Sequence, residues 1–212
     1  MDDPTPSPQT LGEISRRMLA DLQAAAMTGS PGAVVLVEGL SDCFAVEAIA
    51  GKLGRRFQTE GVAVVPMGGA TNIGRSLGIF GPRGRNVRIA CLCDAAEAAY
   101  FARALAAAGV VDALGATSPP MLFVCERDLE DELIRALGGA SVERIIELEG
   151  DLPSLRRLQQ MPAHRDRSLD QHLHRFMGAR SARKYRYAQL MAEGLPPDDI
   201  PRPLRDLVDS LA

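Results

Sequence analysis

The sequence predicts an α/β protein with a doubly wound, mainly parallel four-stranded sheet, flanking helices and a helical C-terminal extension. Three observations lead there. Four short apolar runs, AVVLV at 33–37, VAVV at 62–65, VRIACLC at 87–93 and MLFVC at 121–125, lack polar alternation, the pattern of parallel strands buried on both faces. Helix-period segments separate them, giving the order β-α-β-α-β-α-β and then a further helix. Beyond Gly138 the apolar pattern turns helical and intermittent. At 212 residues the chain accommodates one such domain with an appendage more readily than two domains of ordinary size.

In chain order, residues 1–10 (MDDPTPSPQT) read as a flexible tail. Residues 11–28 read as an amphipathic helix with Leu11, Ile14, Met18 and Leu22 along one face, and GSPG at 29–32 breaks it. The strands beginning at Ala33 are joined by helical patterns over Ser41 to Leu53, a weaker one near Thr71 to Leu77, and Ala95 to Ala108. A helix over Leu129 to Leu137 follows the last strand, so the sheet domain is expected at 33–140 and the extension, packed on it, at 141–212. The extension holds a basic, turn-rich stretch from Pro162 to Arg167 and a last strong helix near Arg180 to Glu193, closed by Pro196 and Pro197. No internal repeat is present.

Composition narrows the class. With 46% hydrophobic and 24% charged residues the chain is globular and not disordered. It has no run of eighteen apolar residues, and its N-terminus is acidic and proline-rich, so neither a membrane span nor a signal peptide is expected and the location expected is cytoplasmic. Cys43, Cys91, Cys93 and Cys125 fall in apolar stretches without a CxxC pair, which predicts reduced core thiols and no zinc site. Residues 151–190 hold nine Lys/Arg against three Asp/Glu, whereas 1–150 hold 13 against 19; the basic excess suits phosphate contact. No nucleotide P-loop is encoded, because Gly51-Lys52-Leu53-Gly54 lacks its spacing. The three histidines match no HExxH or Ser-His-Asp framework and are expected at the surface, at most touching nucleic acid.

In an open parallel sheet, ligands bind beyond the carboxyl ends of the strands. Residues there are acidic after three of the four runs: Glu38 and Asp42 after the first, Asp94 and Glu97 after the third, and Glu126, Asp128, Glu130, Asp131 and Glu132 after the fourth. Carboxylates converging on one edge repel one another unless a hard cation neutralises them, and Mg²⁺ prefers such oxygen ligands. Asp42, Glu97, Glu130 and Asp131 also suit the first turn of a helix, where a carboxylate meets the helix dipole, so each has an ordinary explanation. Glu38 and Asp94 directly end apolar strands, where burial without a partner is costly. After the second run, Gly68 and Gly69 open a glycine-rich turn able to bring backbone amides near a phosphate, as Gly39 does after the first. In the last helix Arg180, Arg183, Lys184 and Tyr187 share one face, while Tyr185, Ala188 and Ala192 suit burial on another; that basic face is equally normal as a solvated helix surface.

The segments VVLVEGLSDCFAVEAIAGKLG, VVPMGGATNI, IACLCDAAEA and LEDELIRALG resemble the Toprim domain of the overcoming-lysogenization-defect (OLD) family nucleases from Val34 to Leu137, and more weakly as far as Glu193. The strand followed by EGxxD is the most specific part. The resemblance places Glu38 at the active site and Asp42 as the second acid of that segment. It sets Asp94 on the first aspartate of a DxD motif, Glu130 on a later acidic motif and Lys184 on a lysine of the C-terminal helix, for metal, metal and scissile phosphate respectively. Ala96 stands at the second DxD position, which leaves Glu97 as the substitute ligand. Family members join this domain to an N-terminal ABC-type ATPase; here a tail and one helix precede the first strand, so a stand-alone Toprim protein is expected.

The expectation is therefore Mg²⁺-dependent phosphodiester cleavage, with Mn²⁺ able to substitute and DNA expected over RNA. Glu38, Asp94 and Lys184 are the expected catalytic residues, and Glu38, Asp42, Asp94, Glu97, Glu130 and Glu132 the expected metal ligands. Arg180, Arg183, Lys184 and Arg186 are expected to meet nucleic acid, and Gly39, Gly68 and Gly69 to lie near phosphate. Two readings of other classes stay open: a non-catalytic Toprim module that binds nucleic acid or an ATPase partner, and nucleotidyl transfer. A separate ATPase partner and a homodimer stay open too. Strand passage is disfavoured, since Tyr100, Tyr185 and Tyr187 all fall within expected helices.

Overall fold

The fold is that of a computed structural model, which describes residues 8–110, 122–178 and 181–211. The expected tail as far as residue 7, the strand start at Met121 and the Arg180 side of the basic helix lie outside the described residues. Four strands, β1 (Ala33–Val37), β2 (Val62–Pro66), β3 (Arg88–Asp94) and β4 (Leu122–Cys125), form one parallel sheet in the order β2-β1-β3-β4. Helices α1 (Pro8–Thr28), α2 (Leu40–Lys52), α3 (Ile73–Phe80), α4 (Ala98–Ala107) and α5 (Leu129–Leu137) belong to the sheet domain. The extension supplies α6 (Gly139–Leu148), α7 (Leu152–Gln160), α8 (Leu169–Met177), α9 (Ser181–Gly194) and α10 (Arg202–Ser210).

The strand order explains the continuous apolar runs. Alternate residues of β1 enter two separate cores: Val35 and Val37 pack with α2, α5 and the extension, Val34 and Leu36 with α3 and α4. The chain moves from β1 to β2 in one direction and from β2 to β3 and β4 in the other. Right-handed crossovers therefore place α2 on one face and α3 and α4 on the opposite face. The reversal makes a topological switch point between β1 and β3, and their carboxyl ends carry Glu38 and Asp94.

Differences from the sequence reading have local causes. The helix expected from Ala95 starts at Ala98, because residues 95–97 form a turn in which the Glu97 amide donates to the Asp94 carbonyl at 3.0 Å. The first helix begins at Pro8, inside the expected tail. A further helix, α10, follows the one expected to be last; it buries Leu204, Leu207 and Val208 and packs on β3, β4 and α2. Arg55 fastens its end by donating to the carbonyls of Val208 at 3.1 Å and Leu211 at 3.0 Å. The four cysteines are buried free thiols. Among the described residues no helix is long and apolar enough to cross a membrane.

Candidate metal centre at the carboxyl edge of the sheet

Where β1 ends, its hydrogen bonding continues into the loop after β2. Met67 donates to the Val37 carbonyl at 2.8 Å, and Gly68 and Gly69 both donate to the Glu38 carbonyl at 3.0 Å. Gly68 and Gly69 have φ of 77° and 124°, a region that L side chains rarely adopt. A Cβ on Gly68 would also stand 3.2 Å from Leu19 Cδ2. The loop thus holds Glu38 in place. Its amides face the protein and not the phosphate position expected for them. The Gly39 amide is likewise engaged, donating to Asp42 Oδ2 at 2.9 Å across the start of α2.

Glu38, Asp42 and Asp94 line a cleft of about 230 Å³, together with Ser15 of α1, Leu129 and Glu130 of α5, and Lys184 and Tyr185 of α9. The carboxylates of Glu38, Asp94 and Glu97 each offer an oxygen, and the three oxygens lie within 4.8 Å of one another. Glu97 therefore reaches the place that the expectation gave it, while Ala96 is exposed. Asp128, Glu130 and His174 form a neighbouring group with ligand atoms equally close. Lys184 Nζ stands 3.2 Å from Glu130 Oε2, and Glu130 is only 4% exposed.

The electrostatics are those of crowded carboxylates taken out of water. Burial first, then Asp42, Asp128, Glu38 and Glu130, push Asp94 up from 3.8 to about 7. Burial, then Asp42 and Glu97, raise Glu38 against the opposing pull of Lys184. Asp42 and Glu130 are also raised, burial being the main cause in both, with Lys184 opposing. For Lys184, burial favours the neutral amine, but Glu130, Asp42 and Asp94 together outweigh it and raise its value, so the ammonium is retained. One ammonium does not balance this many carboxylates. Two carboxylate oxygens, Glu97 Oε2 and Glu130 Oε1, are buried without a hydrogen-bond partner, although buried polar atoms normally have one. Unpartnered oxygens within a hard-oxygen donor set fit a divalent cation.

Other expected residues lie elsewhere. Glu132 is buried beside the cleft-forming helix start, but its Oε1 accepts from the Glu126 amide at 2.7 Å and its Oε2 pairs with Arg135 at 3.0 Å, which ties it to a structural ion-pair network. Arg183 lies over the Phe176 ring, 4.0 Å from its centroid, with Nε 3.5 Å from Asp151 Oδ2. Arg186 pairs with Glu149. Tyr187 is not on an open basic face; it is 1% exposed and donates to Asp151 Oδ2 at 3.0 Å. Of the described members of the expected nucleic-acid face, Lys184 alone enters the cleft. The expectation of surface histidines is corrected as well. His172 is buried, with Nε2 2.8 Å from the His164 carbonyl, and His174 Nε2 is 2.7 Å from Asp128 Oδ2. The sequence reading gave neither Asp128 nor His174 a site role; the only signal for Asp128 was its membership of the acidic run after β4.

Comparison with known proteins agrees with this architecture. Residues 32–95 match the family model of the overcoming lysogenization defect protein-like TOPRIM domain. The solved C-terminal region of the Burkholderia pseudomallei OLD protein superposes with a TM-score of 0.62 at 23% identity, covering 85% of this chain and 96% of that one. That of the Xanthomonas campestris pv. campestris OLD protein gives 0.60 at 26% identity, covering 85% and 94%. No curated protein matches the chain. Residues 32–95 are therefore similar to the OLD-like Toprim domain, and the chain has the fold of the C-terminal region of OLD proteins.

Proposed function

We propose that the chain is a divalent-metal-dependent nuclease that cleaves phosphodiester bonds in the cleft between β1, β3, α5 and α9. One observation carries the reading: Glu38, Asp94 and Glu97 bring three carboxylate oxygens together at the topological switch point, with the half-exposed Lys184 across the same cleft. Glu38, Asp94 and Glu97 would hold Mg²⁺, or Mn²⁺ in its place, with Asp42 beside them. A cation bound there supplies Lewis acidity toward phosphoryl oxygens.

The chain's own residues supply the rest. Lys184 presents a preformed positive charge at the mouth of the cleft, where it favours the negative charge that develops on a phosphoryl group during displacement. Asp42, fixed by the Gly39 amide, keeps the start of α2 closed over the strand end and adds negative charge that favours cation binding. The Gly68-Gly69 turn positions Glu38 through its carbonyl. The OLD-like Toprim match over 32–95 supports the same reading.

The test is cleavage of supercoiled plasmid and of single-stranded DNA and RNA with Mg²⁺ or Mn²⁺. Glu38→Ala, Asp94→Ala and Lys184→Ala are compared with wild type. Metal-dependent cutting that falls at least 100-fold in the two carboxylate variants is expected. Cutting that persists in both, or folded wild type that cuts nothing with either metal, would overturn the reading.

A further inference from the structure

The Glu38, Asp94 and Glu97 group is flanked by an aromatic ring on each face of the sheet. Tyr100 stands one turn along from Glu97 at the start of α4, its amide donating to the Glu97 carbonyl at 2.9 Å, so the two side chains are neighbours on the helix surface. The ring reaches across to the loop after β2, where its hydroxyl donates to the Thr71 carbonyl at 3.3 Å. It is 40% exposed, and the nearby Ala96 and Ala99 are exposed too, with side chains too small to cover it. One turn further along α4, Arg103 is exposed and makes no ion pair among the described residues. On the opposite face, where α9 packs on α2, Tyr185 lines the cleft beside Lys184. Its ring lies 5.6 Å from that of Phe44, tilted by 41°.

We propose that Tyr100 and Tyr185 are base-stacking residues that set the cleft for unpaired nucleotides, one ring taking a base on either side of the phosphate at the metal group. The proposal deepens the nuclease reading; it rests on that reading for the cut and not for the binding. A duplex keeps the faces of its bases inside its own stack, so a ring at the rim of the site finds a matching surface only on unpaired bases. Every base has such a face, and the preference is therefore for strandedness and not for sequence. Both rings are held before a strand arrives, Tyr100 by the Thr71 carbonyl and Tyr185 by Phe44, so little side-chain freedom is lost on binding. Arg103 and Lys184 set a positive charge beside each ring, and rings interleaved with cations suit a flexible phosphate backbone. The carboxylates between the rings repel phosphate until a cation neutralises them, so strand and cation bind together.

The test is binding to the whole chain of a short single-stranded oligonucleotide carrying 2-aminopurine, as DNA and as RNA, and of the matching duplex. Binding is measured in Ca²⁺, a hard cation that takes the same oxygen ligands as Mg²⁺, and stacking is read as quenching of the 2-aminopurine emission. Wild type should bind the single strand roughly tenfold or more tightly than the duplex and quench the emission. Tyr100→Ala and Tyr185→Leu should each weaken single-strand binding about tenfold, the effect of one lost base–aromatic stack, and reduce the quenching in proteins of unchanged circular dichroism. Tyr100→Phe, which keeps the ring and loses the bond to Thr71, should restore the binding that Tyr100→Ala loses. Equal affinity for single strand and duplex, full affinity in Tyr100→Ala or in Tyr185→Leu, the same loss in Tyr100→Phe as in Tyr100→Ala, or no binding at all would overturn the proposal. Ring-dependent single-strand binding by a chain that cuts nothing with Mg²⁺ or Mn²⁺ would overturn the nuclease reading and leave this one standing. Metal-dependent cutting that is equally fast on duplex and single strand, and insensitive to both rings, would do the reverse.

Discussion

Asp94 shows how a single residue serves the site at the expense of the fold. It ends a buried strand among Asp42, Asp128, Glu38 and Glu130, and its carboxyl is raised from 3.8 to about 7. A folded-state value above the unfolded one means that the native protein holds the proton more tightly. The resulting stability is complete below pH 3.8 and is lost as pH rises through about 7. Metal-free protein is therefore expected to melt at a lower temperature at pH 8 than at pH 5, and Asp94→Asn should flatten that dependence; thermal melts in chelator at the two pH values check it. Glu132 is the contrasting acid, because its oxygens serve the Glu126 amide and Arg135. Glu132→Ala leaves the half-buried Glu126 amide without its acceptor, while Arg135 keeps Asp131 and Glu126, and should cost about 1–3 kcal/mol. Mn²⁺ affinity should stay unchanged, which denaturant unfolding and a metal titration together would show. A fall in affinity to the level of Asp94→Asn would return Glu132 to the ligands.

At the scale of elements, the apolar runs marked the strands closely: β1 matches its run at both ends, β2 runs one residue further, β3 starts and ends one residue later, and β4 ends with its run at Cys125. Runs buried on both faces have no competing pattern, and a parallel sheet demands them. The extension was harder to read. The nine residues of α10 carry their apolar positions at Leu204, Leu207 and Val208, a helical spacing too short to separate from chance and preceded directly by Pro203. In α9 the sequence reading put Tyr187 on the basic face, with Tyr185, Ala188 and Ala192 on the buried one. The Tyr187 hydroxyl finds Asp151 and the ring packs edge-on against Phe176, at 5.9 Å between centroids, so the residue is core. Tyr187→Phe should accordingly lower stability by about 1 kcal/mol with no change in cleavage rate, measured by unfolding and by the plasmid assay. An unchanged stability would mean that Asp151 is satisfied equally well by water or Arg183.

Taken whole, the molecule assembles its site from three parts of the chain that sequence pattern alone cannot bring together. The strand-end acids were legible, because two of them sit where an apolar strand meets a turn. Lys184 was placed only by family resemblance, and His174 was read as a surface residue. The reason is physical: each meets its partner, Glu130 or Asp128, across the long separation closed when α8 and α9 pack on α5. That packing makes the extension a wall of the cleft, so cation binding should stabilise both parts together. A ligand that binds only the native state at 100 times its Kd adds roughly 2.7 kcal/mol, which for a chain of this size is roughly 5–10 °C in melting temperature. Saturating Mg²⁺ is expected to raise the melting temperature by about that much as one transition, and the shift should vanish in Glu38→Ala with Asp94→Ala. Two transitions, of which the metal moves only one, would mean that the extension unfolds independently of the sheet edge. Lys184 and the strand-end acids would then share a cleft without sharing a cooperative unit.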